Sequence, residues 1–350
     1  MFKEFGVTKE GIQTHLYTLS NSKGMRVDVS DYGATVVSIL AEDKNGELVD
    51  VSLGYDNVTD YENNTCYFGA IIGRNANRIA FGQCMIDGVT YQMNQNHHEN
   101  NLHSGDRGFD VVVWDAQFDE NEPGKIKFHY ISKDMEQNLP GNFDVTVTYK
   151  LLEDNTLSIV YDAETDKTTL ANTTTHIYYN LNGHDNGNIG GHELMIPASL
   201  YTPMIDEKAI PTGVNKDVTD TPFDFRSYKR IQMDVDDSTN KQIKFANGYD
   251  HNFMIDVPAG KLRTVAKAIG DLSGIVLEIE SDCEAIQFYS GNGIGEHIAK
   301  GGAEYGSRQG FALEPQYVPN GINVRDWSSP LLRPGEKYHS ETKLHFSVQQ

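Results

Sequence analysis

The stretch VTVTYKLLEDNTLSIVY, residues 145–161, sets the fold class. Val145, Val147 and Tyr149 alternate with Thr146 and Thr148, the period of two that puts every second side chain on one face of a strand. Glu153-Asp154-Asn155 then breaks the run with turn formers, and apolar residues resume over 157–161, so the segment reads as two strands joined by a turn. Outward from it the same device recurs. Met25, Val27 and Val29 are spaced by two, Val37 and Ile39 resume that spacing after the break at Gly33, and Lys44-Asn45-Gly46 leads into residues 48–53. Asp87-Gly88 separates Met85-Ile86 from Val89-Thr90-Tyr91 in the same way, and residues 276–279 and 286–289 form a further pair of short strands. No amphipathic run of helical length carries a cap at each end; a short helix near residues 57–62 is the one helical expectation. Many short strands with frequent turns predict an all-β protein, an antiparallel sandwich or barrel. No Pro/Ser-rich linker, charge block or repeat divides the 350 residues, which read as one domain spanning 1–350.

Composition narrows the function. Apolar residues make up 38% and charged residues 23%, as in a soluble globular protein with a real core. The net charge of −21 repels phosphate backbones, which argues against a nucleic-acid partner and, weakly, against an anionic substrate. A neutral ligand needs no steering. Cys66, Cys84 and Cys283 are odd in number and far apart, so neither a disulfide framework nor a structural zinc site is expected. The N-terminal MFKEFGVTKEG lacks an apolar secretory core, and no stretch approaches a membrane span. A cytoplasmic protein with no membrane partner is the expectation; the oligomeric state is not written in one chain, and a homodimer stays open.

Five segments break the alternation and gather polar groups. In GRNANRI, residues 73–79, Arg74 could aim a planar set of donors at ligand oxygens or close a surface ion pair. In NNLHSG, residues 100–105, His103 is a ligand-facing donor or a turn residue bonded to backbone. No histidine spacing here matches a zinc pattern. In TTTHIYYNL, residues 173–181, a strand would place His176, Tyr178 and Asn180 on one face, either a wet ligand-lined surface or a buried histidine satisfied by a hydroxyl. Asp250 in DHNF reads either as a turn cap or as a ligand group, and Glu314, between Ala312-Leu313 and Pro315, as an exposed strand end or a held, desolvated carboxylate.

Taken in order, GRNANRI at 73–79, NNLHSG at 100–105, THIYYNLNGH at 175–184, IPTG at 210–213, TPFDFR at 221–226, YDHNF at 249–253, IQFYSGN at 286–292 and LEPQ at 313–316 resemble the aldose 1-epimerase (galactose mutarotase) family. No single piece is decisive; the ordered set, spanning nearly the whole chain, is. Two departures stand out. Ser104 replaces a second glycine, and Thr175-His176-Ile177-Tyr178-Tyr179 stands where the family usually has Asn-His-Ser-Tyr-Phe. Both keep the matching histidine and bear on substrate preference more than on activity. The resemblance implies a large antiparallel β-sandwich of the galactose mutarotase-like supersandwich type, with a sugar site in an open cleft. It implies Glu314 as general base and His176 as general acid, with Arg74, His103, Asp250 and Gln287 holding the sugar, and neither cofactor nor metal.

The implied reaction is interconversion of the α and β anomers of a free hexose by ring opening and reclosure. It needs Glu314 ionised and His176 protonated at the outset, so a nearby carboxylate is expected to raise the imidazole's pKa. Three alternatives remain at this point: a glycoside hydrolase using Asp250 and Glu314, a hexose-6-phosphate 1-epimerase, and a non-catalytic sugar-binding protein. The roles of His97, His98, His184 and His192 are open.

Overall fold

The computed structural model describes residues 1–63 and 66–349. Hydrophobic alternation decides where each strand goes. In Phe143–Leu151, the side chains of Phe143, Val145, Val147, Tyr149 and Leu151 are buried while Asp144 and Lys150 are exposed. Each large apolar side chain removed from water contributes about 1.5–3 kcal/mol. A slip of one residue would bury the charged set instead, which fixes the register. The strand pairs antiparallel with Thr156–Thr165 across the expected turn, where Asn155 takes the left-handed conformation.

These two strands belong to a nine-stranded antiparallel sheet. Tyr338–Val348 lies beside Thr156–Thr165 and passes the ladder on to Ile275–Ser281 and Arg263–Ile269. A six-stranded antiparallel sheet runs, in spatial order, Tyr178–Tyr179, Phe311–Gln316, Ala285–Tyr289, Asp250–Met254, Leu200–Thr202 and Lys216–Asp217. A five-stranded meander over Phe2–Val7 to Leu48–Asp50 completes the large sheets. One apolar cluster joins all three: Val27 and Ile39 from the meander, Val147 and Leu277 from the nine-stranded sheet, Ile286, Phe288 and Leu313 from the six-stranded one. The all-β expectation of a large antiparallel sandwich holds.

Two differences are informative. Ile275–Ser281 and Ala285–Tyr289 are both strands, but they do not pair with each other; Asp282-Cys283-Glu284 carries the chain from one sheet to the other. Alternation reports which side chains are buried, not which neighbour a short strand chooses. The expected helix is Val58–Glu62, its Asn57 side chain accepting the Asp60 N–H. A second helix, Lys241–Ala246, starts at an Asn240 cap and ends at a left-handed Asn247, too short for a periodic signal. Among the described residues no helix is long and apolar enough to cross a membrane.

Candidate active site

The six-stranded sheet delivers two acidic groups to one pocket. Glu314 lies in Phe311–Gln316, opposite Gln287 in Ala285–Tyr289, and Asp250 opens Asp250–Met254 on the far side of that strand. Glu314 is 2% exposed and its Oε2 has no hydrogen-bond partner. Two loops supply the imidazoles. His176 sits where the ladder breaks between Thr174–Thr175 and Tyr178–Tyr179. Its N–H donates to Ala70 O and its carbonyl accepts the Gly69 N–H, both at 2.9 Å. Gly69 has φ 66°, and the Val36 carbonyl occupies the space a Cβ would need, so only glycine makes this contact. The His176 ring is stacked on Tyr178 at 4.9 Å between centroids and meets His103 edge-on at 5.3 Å. Its Nε2 lies 3.6 Å from Glu314 Oε1.

His103 is held in one tautomer. Its backbone N–H donates to Asn77 O at 3.1 Å, and the Asn77 N–H donates to His103 Nδ1 at 3.2 Å. Nδ1 is therefore an acceptor and the ring proton is on Nε2. Ligating atoms of His103, His176 and Glu314 fall within 4.8 Å of one another, the spacing of a metal site. The tautomer works against one: with Nδ1 already accepting, Nε2 has no lone pair to offer. As a donor to a ligand oxygen, the same Nε2–H is well made.

The pocket, about 170 Å³, is also lined by Tyr67, Asn77, Arg78, His97, Tyr178 and Tyr289. Arg78 was not singled out from sequence. Its Nη2 donates to Asp250 Oδ2 at 3.2 Å, and Gln287 Nε2 donates to Asp250 Oδ1 at 2.6 Å. Among the described lining residues Arg78 is the only lysine or arginine.

The structure thus brings Glu314, His176, His103 and Asp250 together and corrects one expectation. Arg74 does not reach the pocket. Its buried guanidinium donates from Nε to Ser132 Oγ, from Nη1 to Pro140 O and Thr169 Oγ1, and from Nη2 to Ser132 O and Lys133 O. All five of its N–H donors are spent on protein, and burial lowers its pKa to about 10. Gln287 is buried behind the lining residues, with its Nε2 on Asp250 and its Oε1 without a partner. Asn180 likewise turns from the pocket to donate to Gly187 O and Gln309 O.

The remaining histidines separate. His97 lines the pocket and His98 is exposed beside it. His184 Nδ1 meets the Tyr305 hydroxyl at 2.9 Å, and His192 Nε2 accepts the Leu181 N–H, both structural roles. Ser104 Oγ accepts the Asn75 N–H at 2.9 Å, tying its turn to the Arg74–Arg78 loop, and Thr175 bonds the Tyr161 hydroxyl in the core. None of the residues that differ from the family pattern, Ser104, Thr175, Ile177 and Tyr179, lines the pocket.

Burial dominates the electrostatics. It raises the Glu314 pKa to about 8, with Asp250 adding to the rise and Arg78 opposing it. It lowers His176 to about 4, more than Asp250 restores, and takes His103 well below its ordinary value. The expectation that a carboxylate would lift His176 is therefore reversed in the unliganded pocket: loss of hydration outweighs the neighbouring charge.

The model of the family described as aldose 1-epimerase matches residues 15–345. The chain belongs to the aldose 1-epimerase family. It is 36% identical over 340 residues to the aldose 1-epimerase of Escherichia coli (strain K12), covering 96% of each chain. It is 38% identical over 345 residues to the galactose mutarotase of Sus scrofa, covering 98% of this chain and 97% of that one. A solved homologue of aldose epimerase from C. elegans superposes with a TM-score of 0.88 at 28% identity, over 96% of this chain and 99% of that one. For this epimerase the enzyme class expected from the ordered motifs, an isomerase of sugars, stands.

The two arginines of the epimerase's GRNANRI loop should part company in the laboratory. Arg74→Leu strands three buried acceptors, Ser132 O, Pro140 O and Thr169 Oγ1, each costing about 1–3 kcal/mol when left unpaired. The expected result is a urea midpoint lowered by a loss of at least about 3 kcal/mol, with kcat of the folded protein little changed. A stable variant with collapsed kcat would assign Arg74 to the chemistry instead.

Proposed function

We propose that this epimerase interconverts the anomers of a free neutral hexose, galactose or glucose, with Glu314 as general base and His176 as general acid. The observation that carries the reading is the 3.6 Å between His176 Nε2 and Glu314 Oε1 in one buried pocket. The hydroxyl oxygen O1 and the ring oxygen O5 are both bonded to C1, so a proton acceptor for one and a donor for the other must be neighbours. Glu314 takes the C1 hydroxyl proton while His176 protonates O5, and the C1–O5 bond breaks to give the aldehyde. After rotation about C1–C2, the C5 hydroxyl adds to the other carbonyl face. It returns its proton to His176, and Glu314 gives its proton back to O1. His103 Nε2–H and Arg78 donate to sugar oxygens as charge develops, and Asp250 accepts from a hydroxyl. A glycosidase using Asp250 and Glu314 would leave the imidazole idle.

Proton counting reconciles this mechanism with the electrostatics. Between about pH 4 and about pH 8 the Glu314–His176 pair holds one proton. In the unliganded pocket burial favours it on Glu314, which is the arrangement left after ring opening. The cyclic sugar, donating from its C1 hydroxyl to the carboxylate, favours the isomer with the proton on His176. Below the window both groups are protonated and no base remains; above it both are deprotonated and no acid remains.

The substrate is expected to be unphosphorylated: Arg78, the sole lining Lys or Arg among the described residues, is already paired with Asp250. The catalytic unit is the chain over 1–350, working in the cytoplasm. Glu314, His176, His103, Arg78 and Asp250 meet within one chain, so activity per chain is expected to be unchanged on dilution of a homodimer.

Polarimetry tests the reading. Freshly dissolved α-D-galactose and α-D-glucose should reach their equilibrium rotations faster with the protein, with no change in the end point. After subtraction of the acid- and base-catalysed background, kcat/KM should be level between the two limits and fall about tenfold per pH unit outside them. An unaltered rotation curve would leave only a binding protein, and a profile level from pH 3 to 10 would remove the acid–base pair.

A further inference from the structure

A second cavity, of about 700 Å³, shares no lining residue with the catalytic pocket. It is bounded by the end of Phe311–Gln316, by the sheet-switching turn at Asp282-Cys283-Glu284 and by the residues entering Tyr338–Val348. One group in it is anomalous. Gln316, the last residue of the LEPQ segment, is 1% exposed, yet neither its amide oxygen nor its amide nitrogen has a partner. An unpaired buried polar group costs about 1–3 kcal/mol. The neighbouring wall groups are engaged: Asp282 Oδ1 accepts from Ser340 Oγ at 2.8 Å, and Glu284 Oε2 from Ser328 Oγ at 2.6 Å. The walls are thus tied together around an amide left for something else.

The chemistry of that partner follows from the lining. A primary amide offers a donor and an acceptor side by side, which complements two adjacent hydroxyls. Asp282, Glu284 and Glu336 outnumber Lys337 and His339 and disfavour an anion. Tyr317 and Leu331 supply apolar surface for the C–H face of a sugar ring. The volume lies in the range of ligand sites and is about four times that of the catalytic pocket. We propose that this cavity is a second, non-catalytic carbohydrate site for a neutral di- or oligosaccharide, with the Gln316 amide binding a vicinal hydroxyl pair. It is independent of the acid–base assignment.

Calorimetric titration of the full chain with maltotriose and with lactose tests it. At least one should bind the wild type at millimolar concentration. Gln316→Leu should weaken that binding at least about tenfold and leave galactose mutarotation unchanged, whereas Glu314→Gln should leave the binding intact. Tyr317→Ala provides the same readout if the first variant does not fold. Absence of binding to the wild type would overturn the proposal. So would binding abolished by Glu314→Gln or displaced entirely by galactose, either of which would put the saccharide in the catalytic pocket.

Discussion

Glu314→Gln is expected to slow mutarotation of α-D-galactose by about 10²–10⁴-fold with the fold intact. The reason for expecting so clean a result lies in the protonation of the wild type. Burial keeps the Glu314 carboxyl largely neutral near pH 7, and glutamine has the shape and donor–acceptor character of a neutral carboxyl. The melting temperature at neutral pH should therefore hold. What glutamine cannot do is take the C1 hydroxyl proton. His176→Asn should lose a comparable factor, because without an acid at O5 the C1–O5 bond must break to an alkoxide. The double variant should be little worse than the poorer single one, since two groups acting in one concerted step do not contribute additively. Losses that multiply fully would mean that the residues act in separate steps, and a Glu314→Gln variant retaining wild-type kcat would remove it as the base.

How much of this was legible in the sequence depended on whether the deciding contacts were local. The hairpin around Glu153-Asp154-Asn155 and the short helix near residues 57–62 are determined within a few residues, and both formed as read. The segments holding His176, Glu314, His103 and Asp250 stood out because polar side chains interrupt apolar alternation, but their roles at a site were implied only by the family resemblance of the ordered motifs. The choice between Arg74 and Arg78 was not local. Both flank one Asn-rich turn, and what separates them is the presence of Ser132, Lys133 and Pro140, about sixty residues further on, around the first guanidinium. Gln287 could be placed beside Glu314 only once strand order was known, and its contact with Asp250 needs a third strand. Tyr67 and His97 reach the pocket from loops with no periodic signal. The sign of the His176 shift was misjudged for a related reason: a neighbouring carboxylate can be guessed from motifs, but complete burial, the larger effect, is a property of the packed molecule.

Replacing Arg78 by leucine should be the other severe change, costing about 10²–10³ in kcat/KM, the scale on which one preorganised donor to developing charge contributes. Arg78 touches the site in two ways. Its Nη2 pairs with Asp250, and its charge bears on both proton-transfer groups, lowering the pKa of Glu314 and of His176. Removing it should raise both, so the acid and alkaline limits of the pH profile should move to higher pH together. A merely structural role would not move them. It should also leave the carboxylate of Asp250, with 18% of its side chain exposed, without its cation, so some stability is lost as well. Arg78→Lys separates charge from shape. Lysine restores a positive charge, and with it the position of the two limits, but offers no planar fork, so kcat/KM should recover only in part. If Arg78→Leu kept both limits in place and lost only stability, the guanidinium would be a brace for Asp250. If Arg78→Lys recovered activity fully, the field of the cation alone would account for its contribution.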